Sequence, residues 1–245
     1  AIDNGKKIGV LFIDFKKAFD SVDHTILLNK IQGKGLAEEL YKWLTDYLHN
    51  RQQYTELNGI HSGTQIVKYG VPQGSLLGPH LFKIYVDNLP DNITEGWLYM
   101  YADDTTDYVI ADNIDATIGK LNRMANEIQQ WCSNNKQTAN LDKTEAMIIS
   151  QRPFIGPTLP IRFGESQIKV VSTTKSLGVE IDNKLPWKKQ LRKVTKSFGA
   201  QLSQLRKMKY LSNVLKEIYY KSIVSNVKYG ILVWGTYSPS LLNDL

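Results

Sequence analysis

The sequence predicts an α+β fold, an antiparallel sheet backed by helices and followed by a mostly helical segment. Three observations predict it. Apolar runs of strand length and stretches of helical periodicity follow one another as strand, helix, hairpin, helix, strand over residues 1–183. Acids gather at what read as strand ends: no Lys or Arg occurs between Lys83 and Lys120, although the formal net charge of the chain is +6. After Pro186 the pattern changes to long amphipathic helices rich in lysine, which sets residues 184–245 apart as a second region.

In chain order, "KKIGVLFID" is an apolar strand that breaks into a polar loop after Asp14. Helices are expected over roughly Thr25 to Ile31 and Ala37 to Asn50, the second with Leu40, Trp43, Leu44, Tyr47 and Leu48 on one face. Asp23 is positioned to cap the first of them. "QYTELNGIHSGTQIVKYG" reads as a hairpin turned at "NG". "GVPQGSLLGPHLFKIYVDNL" is a Gly/Pro turn feeding an apolar helix, with Pro79 in its first turn. "GWLYMYADDTTDYVIAD" is two strands with acids at the tip, followed by an amphipathic helix from Asp115 to Asn134. "EAMIIS", a hairpin around "IRFGESQIKVV", and "KSLGVEIDNKL" complete the first region. Beyond Pro186, Trp187, Leu191, Val194, Phe198, Leu202 and Leu205 form one helical stripe, and another helix is expected from Asn213 to Val227.

Composition narrows the function classes. With 42% hydrophobic and 22% charged residues among 245, the chain can bury a core as one large domain or two small ones. "IGVLFI" and "YGILVW" are too short to span a bilayer, so no membrane partner is expected. Cys132 is the single cysteine, which excludes an internal disulfide and a cysteine-based zinc site. His24, His49, His61 and His80 are scattered and read as surface or loop residues. A pI near 9.1 points to an anionic partner such as nucleic acid. The abrupt start before an apolar run suggests part of a longer protein.

Asp14 closes its strand, and Asp103 and Asp104 sit at a hairpin tip. If these strands are neighbours, the carboxylates converge, and their repulsion raises their pKa values unless divalent cations hold them ionised. Hard oxygen ligands suit Mg²⁺. Two such ions, about 3.5–4 Å apart, can activate an attacking hydroxyl and stabilise a departing phosphate oxygen. An Asp pair at a hairpin tip is, taken alone, ordinary turn chemistry.

Several segments together go further. "FIDFKKAFDSVDH", "GVPQGSLLGPHLF" and "YADD", in this order, resemble the central palm motifs of reverse transcriptases, closest to those of non-LTR, LINE-type, jockey-like retrotransposons. "NLDKTEAM" resembles the next motif and "SLGVEID" the primer grip, although Ser176 stands where that motif usually carries an aromatic residue. The resemblance implies a polymerase palm with partial fingers over 1–183 and a thumb with a C-terminal extension over 184–245. It implies an RNA-directed DNA polymerase joining deoxynucleotides to a DNA primer 3′-hydroxyl on an RNA (or DNA) template, with two Mg²⁺ ions, Mn²⁺ being the substitute. Asp14 and Asp103 would bind the metals, with Asp104 a third member and the Phe15 carbonyl a further ligand. Phe19, five residues after Asp14, matches an aromatic steric gate against the ribose 2′-hydroxyl. Gln73 and Gly74 of "PQG" match the turn that touches nucleotide or template. Lys143 matches a lysine that protonates pyrophosphate, an isolated surface lysine being the plainer alternative.

The basic helix after Trp187 continues into Arg206, Lys207, Lys209 and Lys216, with Glu217 the only acid between Lys184 and Lys221, which suits a phosphate-tracking role. The family resemblance also implies a longer polyprotein with upstream fingers and endonuclease segments, at work in cytoplasm and nucleus. The competing reading is a catalytically inactive or truncated remnant that binds nucleic acid; a third is an RNA-synthesising polymerase, against which Phe19 argues.

Overall fold

The computed structural model describes residues 2–151, 159–207 and 212–235. Two compact units divide the chain: Ala1–Ile148 with Arg152–Val170, and Ile149–Gln151 with Val171–Leu245. Lys209 and residues 236–245 lie outside the described residues.

The chain opens with β1 (Lys7–Asp14), α1 (His24–Gly33) and α2 (Glu38–Leu48). Four short strands follow: β2 (Gln52–Gln53), β3 (Glu56–Leu57), β4 (Ile60–His61) and β5 (Gln65–Ile66). Next come α3 (Leu77–Val86), the hairpin of β6 (Trp97–Tyr101) and β7 (Asp104–Ala111), and α4 (Ile114–Asn134). Strands β8 (Glu145–Ile149), β9 (Arg162–Phe163), β10 (Ser166–Gln167) and β11 (Lys169–Val170) complete this part.

The central sheet has five strands in the order β11-β8-β1-β7-β6. β1 and β6 both pair antiparallel with β7, and β11 pairs parallel with β8. Strand alternation sends Gly9, Leu11 and Ile13 of β1, and Val109 of β7, toward one face. There the buried stripe of α4 (Ile118, Leu121, Ala125, Ile128) joins them in a core shared with Leu27, Phe82 and Tyr85 of α1 and α3. Gly9 permits the closest approach: a Cβ there would lie 2.7 Å from Leu121 and Thr117. The fold is α+β, as the sequence predicts, with the antiparallel strands in the majority.

Helix boundaries follow local chemistry. Asp23 caps α1, its side chain accepting from the Ile26 N–H at 3.0 Å, and Asn113 caps α4 through the Ala116 N–H at 2.8 Å. One sequence expectation needs correction and two gain detail. His24 is buried, with Nε2 2.7 Å from the Gly70 carbonyl oxygen, because the first turn of α1 lies under the 70–71 segment. α2, which packs on α1, buries only Leu44 and Leu48 of its apolar stripe and leaves Leu40 and Trp43 exposed. β11 leaves the β9–β10 hairpin to join the central sheet.

The second unit is built on β12 (Thr173–Ser176) and β13 (Val179–Asp182), an antiparallel pair, with α5 (Lys188–Lys207) beside them. α6 (Ser212–Ile218) runs through a π-helical stretch, Tyr219–Val224, into α7 (Ser225–Lys228), so the expected helix is there with a wider turn inside it. α8 (Ile231–Trp234) follows Gly230 at φ 67°. Val179, Trp187, Leu191, Val194 and Trp234 form its separate core. Among the described residues, no helix is long and apolar enough to cross a membrane.

Candidate active site

β1 and β7 run in register to their shared end, where Asp14 stands directly opposite Asp104. The Asp14 carbonyl oxygen accepts from the Asn140 N–H at 2.7 Å, on the side of β1 away from β7. Asp14 and Asp104 are therefore a non-hydrogen-bonded pair, the kind in which Cα atoms are about 4.5 Å apart and side chains lie closest on one face. By the same alternation the Phe15 carbonyl points toward the β7 side, since Asp14 and Lys16 both bond toward 138–140. The Phe15 ring is buried, its centroid 6.2 Å from that of Trp131.

The turn from β6 to β7 is only Ala102 and Asp103, with Ala102 at φ 55°, a left-handed conformation that favours glycine. So tight a turn keeps Asp103 at the sheet edge beside the Asp14–Asp104 pair. Electrostatics register the crowding. Burial first, then the charges of Asp103 and Asp14, push the Asp104 carboxyl above the usual aspartate range, while Lys143 pulls it back.

Asp14 is anchored from the far side of the sequence. Its Oδ2 accepts from Asn140 Nδ2 at 3.0 Å and lies 3.4 Å from Lys143 Nζ. Both contacts fall on one oxygen, which leaves Oδ1 open to a further partner. The Asn140 motif was legible in the sequence, but only its lysine was singled out; Asn140 itself is the residue that holds Asp14. Among the described residues, no three His, Cys, Asp or Glu side chains stand close enough together to hold a metal ion. The donor chemistry of Asp14, Asp103 and Asp104, hard carboxylate oxygens under mutual repulsion, is still that which suits a divalent cation.

A cavity of about 500 Å³ opens at this edge. Asp14, Phe15, Phe19, Gln73, Asp103 and Lys143 all line it, so most of the predicted site residues come together. Phe19 is stacked on Phe82 of α3 at 4.6 Å between ring centroids, which holds the ring in the wall. Gln73 Nε2 donates to Asp20 Oδ1 at 2.8 Å. Lys16 and Lys17 also line the cavity, bases that the sequence reading passed over because they look like ordinary loop lysines. Asp104 and Gly74 are not in its lining. Gly74 has open space around it and a φ of +77°, so its requirement is the turn conformation.

Residues 1–212 match the family model described as "Reverse transcriptase (RNA-dependent DNA polymerase)". The whole chain is 27% identical to the RNA-directed DNA polymerase from mobile element jockey of Drosophila melanogaster, covering 28% of that protein. It is 28% identical, over 96% of its length, to the probable RNA-directed DNA polymerase from transposon X-element of the same organism, covering 26% of it. The chain thus spans little more than a quarter of the curated relatives it matches. A telomerase structure from Candida tropicalis is similar at 14% identity and a TM-score of 0.49, over 72% of this chain and 34% of that one. The motif order, the acid edge with its cavity and the family match lead to one conclusion: the chain belongs to the reverse transcriptase family, and its relatives are the LINE-type polymerases of jockey-like mobile elements.

Proposed function

We propose that the chain is the catalytic core of an RNA-directed DNA polymerase, extending a DNA primer on an RNA template with deoxynucleoside triphosphates. The observation that carries this reading is the cavity in which Asp14, Phe19, Gln73, Asp103 and Lys143, from well-separated segments, share one wall system. Reverse transcriptases generally use divalent metal ions; here Asp14, Asp103 and Asp104, with the Phe15 carbonyl, would hold them, and two Mg²⁺ ions (or Mn²⁺) would be the cofactor. Bound there, the ions would activate the primer hydroxyl and stabilise charge on the departing pyrophosphate.

The chain's own residues supply position and protons. Asn140 holds Oδ2 of Asp14, which leaves Oδ1 for the reacting groups. Lys16 and Lys17 offer charge to the triphosphate, and Lys143 stands ready to protonate pyrophosphate. The Phe19 ring, backed by Phe82, lines the cavity and would exclude a ribose 2′-hydroxyl from a sugar bound over it. Gln73 and the Gly74 turn contact nucleotide or template. Residues 1–183 act as palm with partial fingers and 184–245 as thumb and extension, the lysines of α5 tracking duplex phosphates. The longer polyprotein supplies fingers and endonuclease, and synthesis at a nuclear target follows translation in the cytoplasm.

Primer extension tests the reading. The chain, alone and fused to a fingers segment, is given primed RNA, deoxynucleotides and Mg²⁺ beside an Asp103→Asn, Asp104→Asn double variant. Extension that the double variant loses is expected. A folded protein that binds primer–template without extending it would mark the inactive remnant instead.

A further inference from the structure

A second polar cavity, of about 480 Å³, adjoins the first in the same unit. Gln73 lines both, and its hydrogen bond to Asp20 forms part of the wall between them. The remaining polar walls are Arg51, Gln52, Gln53 and Tyr69.

Its frame is rigid. Gly70, at φ +88°, lies so close to Asp20 that a Cβ would be 2.9 Å from the Asp20 Cα. The Gly70 N–H donates to the Val22 carbonyl at 2.8 Å and the Val71 N–H to the Phe19 carbonyl at 2.9 Å. Arg51 is held at its backbone by the Val67 N–H, 2.8 Å from its carbonyl oxygen, and at its head by the Tyr47 ring, 5.4 Å from the guanidinium carbon. Among the described residues the guanidinium has no carboxylate partner. Five N–H donors in a planar fork with no internal anion are the chemistry that recognises a phosphate. The exposed Tyr69 ring offers a stacking face, and the Gln52, Gln53 and Gln73 amides offer both donors and acceptors to a base edge.

We propose that this cavity binds one nucleotide unit, its phosphate on Arg51 and its base against Tyr69. The proposal rests on the polymerase reading, which makes nucleic acid the substrate. Because the cavity shares Gln73 with the acid-edge site, the occupant is an unpaired nucleotide of the template strand next to the one being copied. A second free nucleoside triphosphate has the same chemistry and is the other source.

Fluorescence anisotropy on the full chain separates the sources with three probes: a blunt primer–template duplex, the same duplex with a three-nucleotide 5′ template overhang, and dATP. Arg51→Gln is expected to weaken overhang binding about tenfold, as for one lost charge-assisted phosphate contact, with blunt binding unchanged. The log–log salt slope for the overhang duplex should become shallower by about one. Tyr69→Leu should weaken the overhang duplex, and Arg51→Lys should fall between Arg51→Gln and wild type. A loss confined to dATP would support the cavity with the free nucleotide as its occupant. Equal affinities of wild type and Arg51→Gln for all three probes overturn the proposal, as does a wild-type chain that binds none of them. Melting curves of each variant establish that it folds. If the wild type fails to extend primers while Arg51→Gln still weakens overhang binding, the polymerase reading falls and the cavity stands.

Discussion

Asp107 sits opposite Leu11 on the helix-facing side of β7, fully buried, with neither carboxylate oxygen hydrogen-bonded among the described residues. Burial pushes its carboxyl well above the usual aspartate range. An acid whose folded pKa is raised stabilises the fold in full below the unfolded value, about 4, and that contribution is lost as pH climbs toward the folded value. Asp107→Asn should therefore melt higher than wild type at neutral pH, with the gap closing as pH falls toward 4; equal melting temperatures across that range would contradict it. Asp107→Val, which removes the unpaired group, should gain about 1–3 kcal/mol in urea unfolding at pH 7. Cys132, its thiol pushed up to about 12 by burial, should resist alkylation until the protein unfolds. In the sequence, Asp107 looked like one more member of the acidic cluster. The signal against that was its parity with Val109 and Ala111, which alternation turns inward. Asp14, Asp103 and Asp104, the acids of the proposed site, were legible because they stand at a strand end and a hairpin tip. Asn140 was not, because its contact with Asp14 spans 126 positions and leaves no local pattern.

At the scale of elements, the approach of β1 to α4 depends on Gly9. Gly9→Ala should cost about 1–3 kcal/mol, since Leu121 and Thr117 already occupy the space of its Cβ. Leu121→Ala empties part of that space, so the double variant should lose less than the sum of the singles in a denaturation cycle. Phe19 belongs to this scale too, because α3 fixes it through Phe82. If it is the sugar gate, Phe19→Ala should raise ribonucleotide over deoxynucleotide incorporation on the order of 10- to 200-fold in single-turnover assays. Unchanged selectivity would leave Phe19 a packing residue. Strands and long helices could be read from periodicity, whereas the hairpin over 52–66 was legible only through its "NG" turn, which Asn58 and Gly59 make at φ 52° and 77°. It forms nested pairs only two residues long, β2 with β5 and β3 with β4, and so short a ladder leaves no alternation to detect.

For the whole molecule, the two cores differ greatly in size. The first unit joins residues from β1 to β11 in one cluster, while the second rests on Val179, Trp187, Leu191, Val194 and Trp234. The second unit should open at lower urea, so fluorescence from Trp187 and Trp234 should change before that of Trp131; coincident transitions would show a single cooperative block. The change of style at Pro186 falls inside the second unit, which takes up the chain from Val171. The hairpin of β12 and β13 was assigned to the earlier region, because nothing in its own sequence reports that it packs with α5. The long reach from Asp14 to Asn140 bears on biosynthesis. Asp14 leaves the ribosome ahead of Asp104 and Asn140, which follow it 90 and 126 positions later. A nascent or prematurely terminated chain therefore carries the first carboxylate without the groups that aim it, and the centre is assembled only by a polypeptide that has been completed past Asn140.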